Sequence, residues 1–161
     1  MRLEPGLGYA VLDDVSVVRR SLFRFLGAQF SASPERSFAA GQTWEEARRF
    51  VGDVMRLRPD LVIVDQHLEY PEDEGAGAEL RRMLGTDVAR ELRAAGFSGA
   101  VVLHSANTLL QDSFEGAPGR ARGDAAGDAA AASIDGFMEK RALSRTYIEG
   151  VLSAALARRR G

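Results

Sequence analysis

Arg58-Pro59-Asp60-Leu61-Val62-Ile63-Val64-Asp65 is the stretch whose reading decides the fold. Four consecutive apolar residues, two of them Val and one Ile, are too few for a buried helix and suit a strand covered on both faces. Pro59 and Asp60 punctuate its start, and an acid, Asp65, closes it. In open parallel α/β sheets the carboxyl edge of the strands is where ligands bind. Three further strand-like runs end in polar residues. Leu7 to Leu12 leads to Asp13 and Asp14, Ala100 to Leu103 leads to His104 and Ser105, and the run from Ile134 to Met138 leads to Glu139 and Lys140.

Helical patterns fill the gaps between these strands. Val15 to Phe30 places Val18, Leu22, Phe25 and Leu26 at helical spacing, with Arg19, Arg20 and Arg24 on other faces. Asp14 is positioned to cap that helix. Ser37 to Ala40 reads as a short second strand. Thr43 and Glu46 form a capping-box pattern before a helix that turns Trp44, Ala47, Phe50, Val51 and Val54 inward and ends near Arg58. Glu69 to Gly77, acidic and Gly-rich, reads as a loop, with a helix resuming near Ala78 or Glu79, interrupted around Gly85 and stopped at Gly96. Ala125 to Ala132 reads as a short Ala-rich helix. Gly136 to Glu139 is the last strand, and Ser144 opens a closing helix with Tyr147, Ile148, Val151, Leu152, Ala155 and Leu156 inward. Five strands alternating with helices predict an α/β, doubly wound parallel sheet covered by helices on both faces.

Composition narrows the function. The chain has 161 residues, enough for one domain with a substantial core, with 45% hydrophobic and 27% charged residues. A net charge of −2 leaves no electrostatic footprint for nucleic acid or a membrane surface. Without Cys there is no disulfide framework, thiolate metal site or thiol redox chemistry. The first residues lack the apolar core of a signal peptide, so a cytoplasmic location is expected.

Asp13-Asp14 after the first strand, Asp65 after Pro-Asp-Leu-Val-Ile-Val, Ser105 after the fourth strand and Lys140 after the fifth resemble the pattern of response-regulator receiver domains of the CheY-like superfamily. The resemblance runs from about Tyr9 to Leu156. It implies strand order 2-1-3-4-5 and a Mg²⁺ site formed by Asp13, Asp14, Asp65 and the backbone carbonyl of His67. It also implies that Asp65 accepts a phosphoryl group from the phosphohistidine of a histidine kinase or histidine phosphotransfer domain, assisted by Ser105 and Lys140. Phe137 would be the aromatic switch. Such a chain is a phosphoacceptor in a two-component phosphorelay rather than an enzyme with a separate substrate. The chemistry is coherent, because clustered carboxylates repel one another unless a cation offsets their charge.

Simpler roles compete residue by residue. Asp13 and Asp14 could be helix caps, Ser105 a turn residue, Phe137 plain core and His67 a surface histidine. An aspartate-nucleophile phosphatase would want an acid two residues after Asp65, where His67 stands.

Three features depart from the family. Arg141, not proline, follows Lys140, which leaves the lysine less rigidly aimed. Insertions of about a dozen residues fall near 69–80 and 107–123, long by the norms of loop length. The residues two beyond the acceptor and two beyond the hydroxyl, His67 and Asn107, are those that tune phosphate lifetime in the family. The expectation is a single receiver domain over residues 1–161, either stand-alone or part of a hybrid kinase, that keeps phosphoryl chemistry but signals away from the standard face. The alternative is a pseudo-receiver that binds partners or forms a homodimer without phosphorylation.

Overall fold

The computed structural model describes residues 2–72, 79–106 and 132–161. Its elements are β1 (Tyr9–Leu12), α1 (Ser16–Phe30), β2 (Phe38–Ala40), α2 (Trp44–Leu57), β3 (Leu61–Asp65), β4 (His67–Pro71), β5 (Leu80–Leu84), α3 (Gly85–Ala94), β6 (Ala100–Ser105), β7 (Gly136–Glu139) and α4 (Arg145–Arg160). Five strands pair in parallel in the order β2-β1-β3-β6-β7. This is the expected 2-1-3-4-5 order once the separate β4–β5 pair is set aside.

The central strand explains the layering. Leu61, Val62, Ile63 and Val64 are all completely buried because both faces of β3 are covered. Val62 and Val64 pack with Ala47, Phe50 and Val54 of α2 and with Val88, Ala89 and Leu92 of α3. Leu61 and Ile63 pack instead with Leu22, Leu26 and Phe30 of α1 and with Ile148, Leu152 and Ala155 of α4. Such alternation is the period of two that a strand imposes on its side chains. Among the described residues, no helix is long and apolar enough to cross a membrane.

The caps read from sequence form in part as expected. Thr43 accepts the Glu46 N–H and Ser144 accepts the Tyr147 N–H. The Glu46 carboxylate, however, turns back to the N–H groups of Gly41 and Gln42. Asp14 does not cap α1: the helix begins after Val15 with no side-chain cap, and the Val15 N–H goes to Asp13 Oδ1.

The largest correction concerns the stretch after Asp65. The part of it read as a loop from Glu69 begins instead inside β4, which pairs antiparallel with β5. Leu68 and Tyr70 alternate inward onto the core, whereas His67, Glu69 and Pro71 face out. Helix α3 therefore starts at Gly85, not near Ala78, and runs unbroken to Ala94, after which Gly96 turns the chain at φ +88°. Arg19, expected on an outer face of α1, is buried instead, because its guanidinium donates to the Asp13 carbonyl at 2.8 Å and to Gln42. All but Ala132 of the Ala-rich helix expected over Ala125 to Ala132 lies outside the described residues, as do Asn107 and the second insertion at 107–123.

Two glycines should respond oppositely to alanine. A Cβ on Gly85 would stand 2.4 Å from the Asp65 carbonyl oxygen and 2.9 Å from Leu103 Cδ2. Gly85→Ala should cost about 2 kcal/mol or more, since backbone cannot move aside cheaply. Gly27, inside α1, has nothing within 4 Å of such a Cβ. Gly27→Ala should stabilise by about 0.5–1 kcal/mol. Urea unfolding of the two variants checks both signs.

Candidate functional site

Parallel pairing levels the strand ends. Asp65 stands opposite His104 and Ser105 opposite Glu139, so the residues closing β1, β3, β6 and β7 share one sheet edge. Asp13 and Asp65 are buried there and Asp14 is half-buried. One carboxylate oxygen from each of the three lies within 4.8 Å of those of the other two. The Lys140 ammonium sits between two of the acids, 2.9 Å from Asp65 Oδ2 and 3.1 Å from Asp13 Oδ2. Its backbone N–H donates to the Ser105 carbonyl at 3.0 Å, which fixes the end of β7 against β6. No cis peptide bond occurs among the described residues, and with Arg141 after it Lys140 is still aimed at both carboxylates.

These contacts build an open cleft of about 330 Å³ lined by Asp14, Val15, Asp65, His67, Glu69, Ser105, Ala106 and Lys140. Sequence reasoning placed Asp13, Asp14, Asp65, Ser105 and Lys140 together, and the fold brings them together. His67 has an exposed side chain, and its backbone N–H points at Asp65 Oδ1 across 3.4 Å. Phe137 is elsewhere: it stands opposite Leu103 on β7, half-buried against the core layer shared by α2 and α3.

Burial dominates the electrostatics. It raises the Asp13 and Asp65 carboxyls above the ordinary aspartate value, even though Lys140 pulls both the other way. Burial works to lower the Lys140 ammonium, but the hydrogen bond it donates to Asp65 and the charges of both acids outweigh it and raise its pKa. Three carboxylates thus meet one ammonium in the cleft. Among the described residues, buried Asp13 Oδ2 has the Lys140 ion pair and no further hydrogen-bond donor. An all-oxygen donor set with unspent negative charge fits a hard divalent cation such as Mg²⁺.

Two participants were missed in sequence. Glu69 reaches the site through its backbone, donating its N–H to Asp14 Oδ2 at 3.0 Å. His104 is buried beneath the acids, with Nδ1 4.0 Å from Asp13 Oδ2. Burial, reinforced by the Lys140 charge, pushes its pKa down to about 4, so it is neutral at pH 7.

By sequence the chain matches no protein-family model and no curated protein. By fold it is similar to response-regulator receiver domains. A receiver domain from Clostridium thermocellum aligns over 96% of this chain and 97% of its own, with a TM-score of 0.62 at 15% identity. The receiver domain of the putative response regulator NarL from Mycobacterium tuberculosis covers 98% of both chains at 22% identity and a TM-score of 0.58. A LuxR-family DNA-binding response regulator from Staphylococcus aureus aligns over 95% of this chain and 98% of its own, at 13% identity and 0.57. The fold is therefore the CheY-like receiver fold.

A buried neutral imidazole makes stability depend on pH with a definite sign. Above pH 6.5 His104 is neutral in both folded and unfolded chains and contributes nothing to the slope. Between 6.5 and about 4 the unfolded chain takes a proton that the folded chain refuses, so stability falls by up to about 3 kcal/mol. Asp13 and Asp65, raised when folded, act oppositely as pH drops through their folded values. The difference between the unaltered protein and His104→Leu isolates the histidine. Urea midpoints measured from pH 7 to 4 should fall relative to the variant, and parallel curves would contradict the assignment.

Proposed function

We propose that this chain is the receiver module of a two-component phosphorelay, taking a phosphoryl group on Asp65 with Mg²⁺ and changing a protein-binding surface in response. The observation that carries the reading is the Lys140 ammonium held 2.9 Å from Asp65 Oδ2 and 3.1 Å from Asp13 Oδ2 at the carboxyl edge of a receiver-type sheet. Such an arrangement serves an anion that arrives and stays. Asp65 is the nucleophile, Asp13 and Asp14 with the His67 carbonyl complete the cation site, and Ser105 lines the cleft where a phosphoryl oxygen would accept its hydroxyl. Bound there, Mg²⁺ would neutralise the carboxylates and draw charge from the phosphoryl oxygens.

In the transfer, a carboxylate oxygen of Asp65 bonds to phosphorus as the phosphorus–nitrogen bond of the donor histidine breaks. The imidazole leaves with the electron pair and recovers a proton from solvent. Lys140, already beside Asp65, then pairs with a phosphoryl oxygen. Phe137 is the side chain expected to relay the change to a surface.

The donor needs a surface to rest on. Val15, Val17 and Leu143 are large apolar side chains exposed at 47%, 68% and 39%, and Val15 lines the cleft itself. Val17 and Leu143 line a pocket of about 300 Å³ together with Val18, Leu22, His104 and Lys140. Lys140 lines both this pocket and the cleft, so an apolar helix face seated here would carry its histidine to Asp65. In this reading the occupant is a histidine kinase or histidine phosphotransfer domain.

Acetyl phosphate with Mg²⁺ should add one phosphoryl group, seen in the intact mass, and Asp65→Asn should abolish it without loss of fold. Lys140→Ala should reduce the rate at least about 100-fold, on the scale of losing one preorganised charge from a phosphoryl site. A folded protein that gains no adduct would favour the pseudo-receiver reading.

A further inference from the structure

The β4–β5 hairpin contacts the acid cluster through atoms that need no conserved side chain. Glu69 N–H donates to Asp14 Oδ2 at 3.0 Å, joining positions 55 residues apart. Strand pairing explains why that N–H is free to do so. Along an antiparallel strand, alternate residues direct their backbone groups to opposite edges. Glu69 stands opposite Arg82 and Pro71 opposite Leu80, so Glu69 shares its edge with a residue that has no N–H to give to β5. His67 lies on that same edge, and its N–H points at Asp65. The outer edge of β4 therefore presents backbone N–H groups to the two acids.

We propose that Glu69 is a positioning residue whose backbone N–H orients the Asp14 carboxylate as a divalent-cation ligand, so that the hairpin senses whether the acids are occupied. Oδ2 of Asp14 is held by the amide while Oδ1 takes no hydrogen bond from the described residues, the arrangement by which outer hydrogen bonds aim a metal-binding carboxylate. The coupling is reciprocal, since whatever a fixed hairpin contributes to cation binding, the bound cation returns to the hairpin.

The chain carries its own reporter of that state. Tyr70 of β4 donates its hydroxyl to the Gly41 carbonyl at 3.0 Å. Trp44, the single tryptophan, packs edge-on against Tyr70 with ring centres 5.8 Å apart, and the Arg81 guanidinium lies 5.8 Å from the indole centre. Tightening of the hairpin over the acids changes the surroundings of one fluorophore.

The inference rests on the reading above in one respect, that the acids take a divalent cation. The test is a MgCl₂ titration of the full chain, followed in parallel by calorimetry and Trp44 fluorescence. Heat and fluorescence should saturate together in the unaltered protein and in Glu69→Gln, which keeps the N–H. Glu69→Pro deletes a donor that the β4–β5 ladder does not use, so the hairpin stays paired. It should bind Mg²⁺ at least about 10-fold more weakly and lose the fluorescence change. Amide exchange of Glu69 in the unaltered protein gives a second measure that requires no variant, and Mg²⁺ should slow it. Binding heat with a silent Trp44 and unchanged Glu69 exchange, or unaltered affinity in a folded Glu69→Pro, would overturn the coupling and leave the phosphoacceptor reading intact. No binding heat in the unaltered protein would overturn both.

Discussion

The Lys140 ammonium wedged between Asp65 and Asp13 is the contact on which the rest of the site depends. Two buried carboxylates side by side repel each other and resist ionisation, and burial raises both. One cation between them offsets that repulsion and pulls both carboxyls back towards the charged form. The fold secures that cation from behind. The Lys140 N–H is bound to the Ser105 carbonyl, and β7 is paired with β6 up to that point. Removing the ammonium would leave two unbalanced buried acids, a far larger loss than that of a surface ion pair.

Asp13 is the second hub, and it is held on every side. Its N–H donates to the Ala40 carbonyl, its own carbonyl accepts from Arg19, and its Oδ1 takes the Val15 N–H. Gly41 packs so close that a Cβ there would stand 2.5 Å from the Asp13 carbonyl oxygen, and its φ of +117° already excludes most side chains. These bonds hold the Asp13 backbone and one of its carboxylate oxygens in place. They also explain why Arg19 is buried on a helix face that periodicity assigns to solvent: the guanidinium follows a carbonyl, not a hydrophobic stripe.

Strong local rules made much of the molecule legible in sequence. Apolar runs closed by polar residues gave β1, β3, β6 and β7, and β7 falls at the residues expected, Gly136–Glu139. The acids, the hydroxyl and the lysine could be placed on one edge because parallel strands end together. The hairpin was hidden for a physical reason. Only Leu68 and Tyr70 of β4 face the core, Pro71 interrupts the pattern, and β5 leaves Leu80 and Leu84 exposed at 47% and 38%. A strand pair seated on one flank of a core shows too little alternation to stand out from a loop. Glu69 was hidden more deeply, since it acts through a backbone N–H that every residue except proline carries.

The site consequently has one fixed side and one lightly held side. Asp65 ends β3 of the five-stranded sheet, and Asp13 and Lys140 directly follow β1 and β7, each tied to the next strand by its N–H, to Ala40 and to Ser105. The hairpin is a separate two-stranded sheet, with no ladder to the main one. Among the described residues its hydrogen bonds onto the body are few: His67 to Asp65, Glu69 to Asp14, Tyr70 to Gly41, and Gly85 to Gln66 where β5 passes into α3. The Glu69–Asp14 and His67–Asp65 bonds are the two made directly to the acids. Elements with few buried contacts open at lower free energy than a central sheet. When charge on the acid cluster changes, the response must fall on the side that can yield. In this chain that side is the hairpin following Asp65, which gives the insertion a physical role in reading the site it partly covers.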